Sequence, residues 1–250
     1  MFETTKAVLF DLDGTIYYGS RIIDGANDAI EHCRELGKHV FFLTNNSTKT
    51  RRQVFERLQG MEISCAYREV MTSGYAAALW ARREGLRNIY LCGSENLACE
   101  FEEQGVACAA AEQAENLLIG YDPAFDYAKM TAAVRVALRA DKIIACNKEK
   151  VFQGEGAQWF PGCGGMVAPI EWCAGRSSDY VVGKPNTLML RIVGEMLGLS
   201  ASEMLVVGDT YESDILMANR YGSPSVLISS SEYDDTVSVG NIGELVHLIG

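Results

Sequence analysis

Hydrophobic and polar positions follow one repeating order along most of the chain. A short apolar run comes first, a polar cluster follows it, and an amphipathic segment of helical period follows the cluster. In residues 26–36, for example, Ala26, Ile30 and Cys33 share one helical face, and Gly37 ends the pattern. Strands that alternate with helices in this way predict a parallel α/β sheet.

The apolar runs are continuous rather than alternating, which is typical of strands covered by helices on both faces. They predict strands over residues 7–10, 40–43, 69–71, 89–92, 106–108, 117–119, 143–145, 180–182, 204–207 and 225–228. Helical spacing predicts helices over residues 26–36, 51–58, 76–84, 96–104, 127–139, 166–172, 188–197, 213–220 and 242–249. Residues 153–165 are rich in glycine and predict a loop.

Polar residues follow four of the predicted core strands at their carboxyl ends, where open parallel sheets bind ligands. These clusters are Asp11-Leu12-Asp13-Gly14-Thr15, Thr44-Asn45-Asn46-Ser47, Lys184, and Gly208-Asp209 with Asp214. Each cluster alone is an ordinary turn or helix cap. Four of them in order, each after an apolar strand, rarely arise by chance. We therefore expect the fold to gather their carboxylates, hydroxyl, amide and ammonium in one place.

The spacing of the acidic residues indicates a cation site. One residue separates Asp11 from Asp13, so an extended backbone puts both carboxylates on the same side. Two carboxylates about 4 Å apart repel by about 4 kcal/mol at an effective dielectric near 20. Oxygen ligands beside a phosphate favour Mg²⁺ over a softer metal. We expect Mg²⁺ as cofactor, with Asp11, Asp13, Asp209 and Asp214 as the candidate metal residues.

The same residues are suited to phosphoryl chemistry. One carboxylate can attack phosphorus and form an aspartyl-phosphate. A second carboxylate, held protonated, can donate to the leaving alkoxide and later deprotonate the attacking water. Lys184 would supply positive charge to the equatorial phosphoryl oxygens, and Thr44 would donate a hydrogen bond. Gly14 would let the backbone turn so that neighbouring amides face the phosphate.

These motifs resemble the four motifs of the haloacid dehalogenase-like hydrolase superfamily. Residues 41–47, 72–74, 161–164 and 182–185 further resemble its subfamily IIA, the NagD-like and p-nitrophenyl-phosphatase-like branch. The resemblance implies a Rossmann-like, doubly wound parallel sheet with an inserted α/β cap of the C2 type. The catalytic core would comprise residues 1–74 and 181–250, and the cap residues 75–180.

The resemblance also implies residue roles. Asp11 would be the nucleophile and Asp13 the general acid and base. Mg²⁺ would be held by Asp11, the Asp13 main-chain carbonyl and Asp209, with Asp214 as a further carboxylate on the metal side. The candidates for substrate binding are Leu12, Asp13, Thr44, Asn45, Asn46 and Lys184.

The cap matches the branch less closely than the core does. The branch often has Thr-Asn-x-Asp where this chain has Cys146-Asn147-Lys148-Glu149. Tyr121, Asp122 and Asn147 follow predicted cap strands, and they are further candidates to reach the active site.

The expected function is Mg²⁺-dependent hydrolysis of small phosphate monoesters such as sugar phosphates, nucleoside monophosphates and p-nitrophenyl phosphate. A phosphotransferase or phosphomutase would instead pass the phosphoryl group to a sugar hydroxyl. Two further alternatives are a non-catalytic phospho-accepting module of the receiver type and a degenerate binding scaffold. The length of the insert argues against the receiver module, and the intact Asp11, Asp13, Lys184 and Asp209 argue against the scaffold.

Charge and composition limit the classes of molecule that the protein is expected to bind. The formal net charge is -11 without a basic stripe, which disfavours nucleic acid. The longest apolar runs are about strand length, whereas a membrane span needs roughly 20 residues. The first residues lack the basic region and following apolar region of a secretory signal peptide. The eight cysteines form no C-x-x-C pair. We therefore expect a cytoplasmic protein with reduced thiols. The expected partner is a small phosphorylated metabolite. Because caps of this type often dimerise, the resemblance also allows a homodimer through the cap.

Overall fold

A computed structural model describes residues 2–154 and 158–249. The strands in chain order are β1 (Ala7–Asp11), β2 (Tyr17–Tyr18), β3 (Arg21–Ile22), β4 (His39–Thr44), β5 (Val70–Thr72), β6 (Ile89–Cys92), β7 (Asn116–Ile119), β8 (Lys142–Ala145), β9 (Val151–Gln153), β10 (Trp159–Pro161), β11 (Tyr180–Val181), β12 (Met204–Gly208), β13 (Ser225–Ile228) and β14 (Val237–Val239).

The α-helices are α1 (Ala26–Glu35), α2 (Arg51–Gly60), α3 (Ser73–Arg83), α4 (Glu95–Glu103), α5 (Tyr127–Ala137), α6 (Gly164–Ala174), α7 (Leu188–Leu197), α8 (Leu216–Tyr221) and α9 (Leu245–Leu248). Short 3-10 turns lie at Tyr67–Glu69, Ala111–Gln113, Ala201–Glu203 and Ile242–Glu244, and a π-helical turn spans Tyr211–Ile215. Within the described residues, every helix falls short of the length and apolar character needed to cross a membrane.

The chain forms two compact units. The first comprises Met1–Thr44, Arg52–Met71 and Lys184–Gly250, and the second comprises Asn45–Arg51 and Thr72–Gly183.

The first unit contains a six-stranded sheet in the order β14-β13-β12-β1-β4-β5. The central strand β1 pairs in parallel with β4 on one side and with β12 on the other. The strands that follow β1 directly are therefore added on its β4 side, and the later strands of this sheet are added on its β12 side. All five residues of β1 are buried, and the first four form the continuous apolar run that is typical of a strand covered on both faces. Val8 and Phe10 of this strand pack with Ala26 and Ile30 of α1 in the core of the unit. The reversal beside β1 is the position where α/β sheets form ligand sites.

The second unit contains a parallel four-stranded sheet in the order β11-β8-β7-β6 and an antiparallel hairpin of β9 and β10. Its core joins Leu117 and Ile143 of the sheet to Val136 of α5 and Val167 of α6. Two parallel sheets with covering helices confirm the predicted α/β class with a Rossmann-like core.

Several predicted elements differ from the structure. Residues 106–108 form no strand but a single bridge between Cys108 and Ile89, because two of the three residues are exposed and little apolar surface favours pairing. Part of the predicted loop 153–165 is strand β10, which pairs with β9. Residues 155–157 of that loop lie outside the described residues. The strands β2, β3, β9 and β14 were not predicted, because two or three residues are too few to show a period.

Two predicted helices begin differently from the expectation. The helix predicted over 213–220 starts as the π-helical turn Tyr211–Ile215 before α8, and the one predicted over 242–249 starts as a 3-10 turn before α9. A tighter or wider first turn leaves the hydrophobic period almost unchanged, so the sequence pattern could not reveal it.

Candidate active site

Three carboxylates gather in the first unit where β1 and β12 end. One oxygen each from Asp11, Asp209 and Asp214 lies within 4.8 Å of the others. Asp11 is the last residue of β1, Asp209 directly follows β12, and Asp214 lies in the π-helical turn beyond it. The parallel pairing of Phe10 with Val207 sets the two strand ends side by side. The topology thus brings Asp11 together with two acidic residues that lie about 200 positions further along the chain.

Lys184 places its ammonium among these carboxylates. Its Nζ donates to Asp11 Oδ1 and, at 2.7 Å, to Asp214 Oδ1. The three residues are buried, with exposed fractions of 4% for Lys184, 7% for Asp11 and 1% for Asp214. When all groups are ionised, three carboxylates and one ammonium carry a net charge of about −2, which is the charge that one divalent cation balances.

The pKa shifts of these residues reflect the same excess of negative charge. Burial, together with repulsion from Asp214 and Asp209, holds the pKa of Asp11 well above its usual range, although Lys184 opposes the shift. Burial and then Asp214 raise the pKa of Asp209 to about 6. Burial disfavours the charged form of Lys184, but Asp11 and Asp214 outweigh it and raise the pKa of the ammonium. Hard oxygen donors in a buried site of excess negative charge fit Mg²⁺.

Glycine is required at two positions beside the cluster. Gly14 has a φ of +94°, and a Cβ built there would collide with the carboxylate of Asp209. A Cβ on Gly208 would collide with the carboxylate of Asp214. Thr15, buried behind Gly14, directs its hydroxyl to Asp209 Oδ1 at 3.4 Å. Thr15 was not predicted as a site residue. Its place directly after the glycine turn was the available signal.

The remaining core candidates lie at or just beyond the ends of β1 and β4. Asp13 follows β1 by two residues and is exposed, and it forms an isolated main-chain bridge with Tyr17. Thr44 is buried at the end of β4, next to Leu43, which pairs with Asp11. The side chain of Leu12 packs into the core, so its main-chain groups are the part available to a substrate.

Comparison with known proteins decides the family. Residues 8–107 match the model described as haloacid dehalogenase-like hydrolase, and residues 181–240 match a second model described as HAD-hydrolase-like. Sugar-phosphatase AraL of Bacillus subtilis (strain 168) is 33% identical over 223 residues, which cover 88% of this chain and 82% of the relative. The chain belongs to the haloacid dehalogenase-like hydrolases.

Other members of the family agree with this assignment. Acid sugar phosphatase of Staphylococcus aureus (strain MRSA252) is 31% identical over 226 residues, which cover 90% of this chain and 86% of the relative. The solved structure of p-nitrophenyl phosphatase from Archaeoglobus fulgidus matches with a TM-score of 0.91 at 28% identity and covers 98% of this chain and 99% of its own. The predicted superfamily, its p-nitrophenyl-phosphatase-like branch and the enzyme class, a phosphatase, are confirmed.

In this haloacid dehalogenase-like hydrolase, the two predicted substrate-binding asparagines belong to the second unit. Asn45 donates from Nδ2 to Glu149 Oε1 at 2.7 Å, and its carbonyl accepts a bond of 2.8 Å from Asn147 Nδ2. Asn46 uses its side-chain oxygen in a local turn, where it accepts from Thr48 N at 2.9 Å. The contact of Glu149 with Asn45 was not predicted from the sequence. The signal was the Glu at a position where this branch of haloacid dehalogenase-like hydrolases often has Asp.

The other strand-end candidates of the hydrolase's second unit have partners within that unit. Asp122 is buried and forms an ion pair of 2.5 Å with Lys129. The main-chain N–H of Tyr121 donates to Ser47 Oγ at 2.9 Å. These contacts anchor the segment 45–51 and the end of β7, and a role of these residues in substrate binding stays a prediction.

Proposed function

We propose that this haloacid dehalogenase-like hydrolase is a Mg²⁺-dependent phosphatase that hydrolyses small phosphate monoesters through a phosphorylated Asp11. The contact of Lys184 with Asp11 inside the cluster of three carboxylates is the observation that carries this proposal. A carboxylate nucleophile, a buried ammonium and oxygen ligands for a cation are the groups that phosphoryl transfer to a carboxylate needs.

The residues would act in two steps. Asp11 attacks phosphorus, the bond from phosphorus to the leaving oxygen breaks, and Asp13 gives its proton to that oxygen. Water then attacks the phosphorus of the aspartyl-phosphate, and Asp13 takes a proton from this water. Inorganic phosphate leaves, and the carboxylate of Asp11 is restored. Lys184 and Thr44 stabilise the equatorial phosphoryl oxygens in both steps.

The cation would lie among the carboxylates. Asp11, the Asp13 main-chain carbonyl and Asp209 would hold Mg²⁺, with Asp214 on the same side. When bound, it supplies positive charge that lets a phosphate dianion approach an anionic nucleophile.

Sugar phosphates are the substrate class that we propose first. Two relatives above 30% identity are named as sugar phosphatases, and each shares more than four-fifths of its length with this chain. We propose that residues 75–180 form the cap and that the rest of the chain forms the catalytic core.

The direct test measures phosphate release from sugar phosphates, nucleoside monophosphates and p-nitrophenyl phosphate. We expect turnover with Mg²⁺, loss with EDTA and recovery on adding Mg²⁺. Asp11→Asn should abolish turnover because an amide is a poor nucleophile. Asp24→Asn is the control, since Asp24 is an exposed aspartate of the same unit. Near wild-type turnover by Asp11→Asn would refute the covalent mechanism, and phosphoryl transfer to an added sugar would identify a phosphotransferase.

The intermediate can be observed with Asp13→Ala. Loss of the general base slows hydrolysis of the aspartyl-phosphate, while p-nitrophenolate still leaves without a proton donor. The intact mass of this variant should therefore rise by one phosphoryl group during turnover of p-nitrophenyl phosphate. A variant with steady slow turnover and no phosphorylated protein would contradict this order of steps.

A further inference from the structure

Asn45 is held within the second unit by side chains from three separate segments. Its Nδ2 donates to Glu149 Oε1 at 2.7 Å, and its carbonyl accepts from Asn147 Nδ2 at 2.8 Å and from Ser73 Oγ at 2.7 Å. Asn45, Asn147 and Ser73 are buried, and Glu149 is half-buried. Breaking a bond of such a network leaves a buried donor or acceptor without a partner, so the network holds Asn45 in one place.

Glu149 is itself fixed in the segment that follows β8. Its main-chain N–H donates to Asn147 Oδ1 at 3.1 Å, and its carbonyl accepts from Gly164 N, the first residue of α6, at 2.8 Å. The side-chain amide of Asn147 therefore bonds to Glu149 through its oxygen and to Asn45 through its nitrogen. Glu149 thus directs its carboxylate to Asn45 from a chain that has little freedom to move.

Gly183 lies against the other side of the Asn45 amide. A Cβ built on Gly183 would collide with Asn45 Oδ1 and with the carbonyl of Cys146. Gly183 N donates to that carbonyl at 2.7 Å, and Val182 N donates to Ala145 O at 2.9 Å. These bonds continue the pairing of β11 with β8 as far as Gly183. The chain that leads to Lys184 is therefore held by the sheet of the second unit and by Asn45.

The first and last residues of the second unit meet in this cluster. The unit begins at Asn45, directly after Thr44, and ends at Gly183, directly before Lys184. Thr44 and Lys184 are the residues that we propose to stabilise the equatorial phosphoryl oxygens. Each of them is joined to the cluster by one planar peptide bond, so a shift of Asn45 or Gly183 displaces the main chain that carries them.

We infer that Glu149 is a positioning residue for Thr44 and Lys184, because it holds Asn45 against Gly183 and so fixes the two chain segments that carry these groups. This inference rests on the proposed roles of Thr44 and Lys184. Glu149 contributes an acceptor oxygen, and its charge is not required. A displacement of about 1 Å from the reacting geometry can lower a rate by about 100-fold.

The test removes the acceptor with Glu149→Met, which keeps a side chain of similar length. We expect kcat/KM to fall about tenfold or more, by the same factor for p-nitrophenyl phosphate and for an alkyl phosphate, because both share the equatorial oxygens. The inhibition constant of inorganic phosphate should rise in the same variant. Unchanged kcat/KM, or a loss for only one of the two leaving groups, would overturn the inference.

Two further variants separate positioning from charge and from stability. Glu149→Gln keeps an acceptor oxygen and should hold kcat/KM within about threefold of the wild type. Asp126→Ala is the control for stability, since Asp126 caps α5 by accepting from Lys129 N at 2.8 Å in the same unit. It should lower the thermal midpoint and leave kcat/KM unchanged. A loss in Glu149→Gln as large as in Glu149→Met would show that the charge is required and would refute the positioning role.

A double-mutant cycle separates the inference from the function on which it rests. In a Thr44→Val background, Glu149→Met should cause a smaller loss of kcat/KM than in the wild type, because one of the two groups that it positions is absent. An undiminished loss would overturn the inference alone. Wild-type kcat/KM in both Thr44→Val and Lys184→Met would overturn the proposed roles of these residues and the inference with them.

Discussion

The ammonium of Lys184 lies 2.7 Å from a carboxylate oxygen of Asp214, and the same ammonium contacts Asp11. Lys184 lies shortly before α7, whereas Asp214 lies in the turn that follows β12. Lys184 therefore links the segment that precedes α7 to the turn that follows β12. Its removal should affect both the chemistry and the stability of the first unit.

Lys184→Met should lower kcat/KM at least about 100-fold, because the equatorial phosphoryl oxygens lose their nearest fixed charge. It should also lower the thermal midpoint in EDTA, since breaking a buried pair typically costs about 3–5 kcal/mol. Lys6→Met is the control. Its ion pair with Glu203 is on the surface, where solvent screens the charges and such pairs contribute little to stability. Equal behaviour of the two variants in steady-state kinetics and calorimetry would contradict the proposed role of Lys184.

Binding of Mg²⁺ should be visible without turnover. A ligand that binds the folded state at 100 times its Kd stabilises that state by about 2.7 kcal/mol. We expect Mg²⁺ to raise the thermal midpoint of the wild type and to leave Asp209→Asn nearly unchanged. Asp24→Asn should keep the wild-type shift. A full shift in Asp209→Asn, measured by calorimetry, would place the cation elsewhere.

The pKa of Asp209 predicts a pH dependence of stability in the metal-free protein. The folded-state pKa is about 6, above the ordinary value of 3.8, so the folded protein binds more protons than the unfolded chain between these values. The Asp209 carboxyl therefore makes its full contribution to the free energy of unfolding below pH 4, and this contribution is lost as the pH rises through 6. The thermal midpoint of the wild type in EDTA, relative to Asp209→Asn, should fall over this range. A rise over the same range would show that the sign is wrong, and Mg²⁺ should abolish the fall.

Gly14→Ala should remove the cation site through a steric effect. The new Cβ would meet the carboxylate of Asp209, and the positive φ adds strain of about 1–2 kcal/mol. Gly37→Ala separates the two causes, because Gly37 also has a positive φ of +70° but has open space around its Cβ position. We expect destabilisation in both variants and loss of the Mg²⁺ thermal shift in Gly14→Ala alone. A Mg²⁺ shift of normal size in Gly14→Ala would show that the Asp209 carboxylate tolerates the added methyl group.

Much of the fold was predictable because its signals are local. The buried strand β1 and the helix α1 could be located within one residue from continuous apolar residues and from a helical period that ends at glycine. The clusters around Asp11 and Asp209 could likewise be found, since parallel strands present their carboxyl ends at one edge.

The contacts within the site were not predictable in the same way. The stacking of Arg57 on the Tyr17 ring and the contact of Thr15 with Asp209 each join side chains whose directions depend on the folded backbone. The partner of Asn45 is Glu149, more than 100 positions away, and no periodic pattern marks such a pair.

By itself, the sequence determined the α/β class, the family resemblance and the acidic residues at the strand ends, because hydrophobic period and chain order are properties of neighbouring residues. The tertiary structure alone decided that Lys184 lies between Asp11 and Asp214, and that Thr15 contacts Asp209. Such contacts depend on the register of strands and the packing of helices, which the interactions of the whole chain establish together.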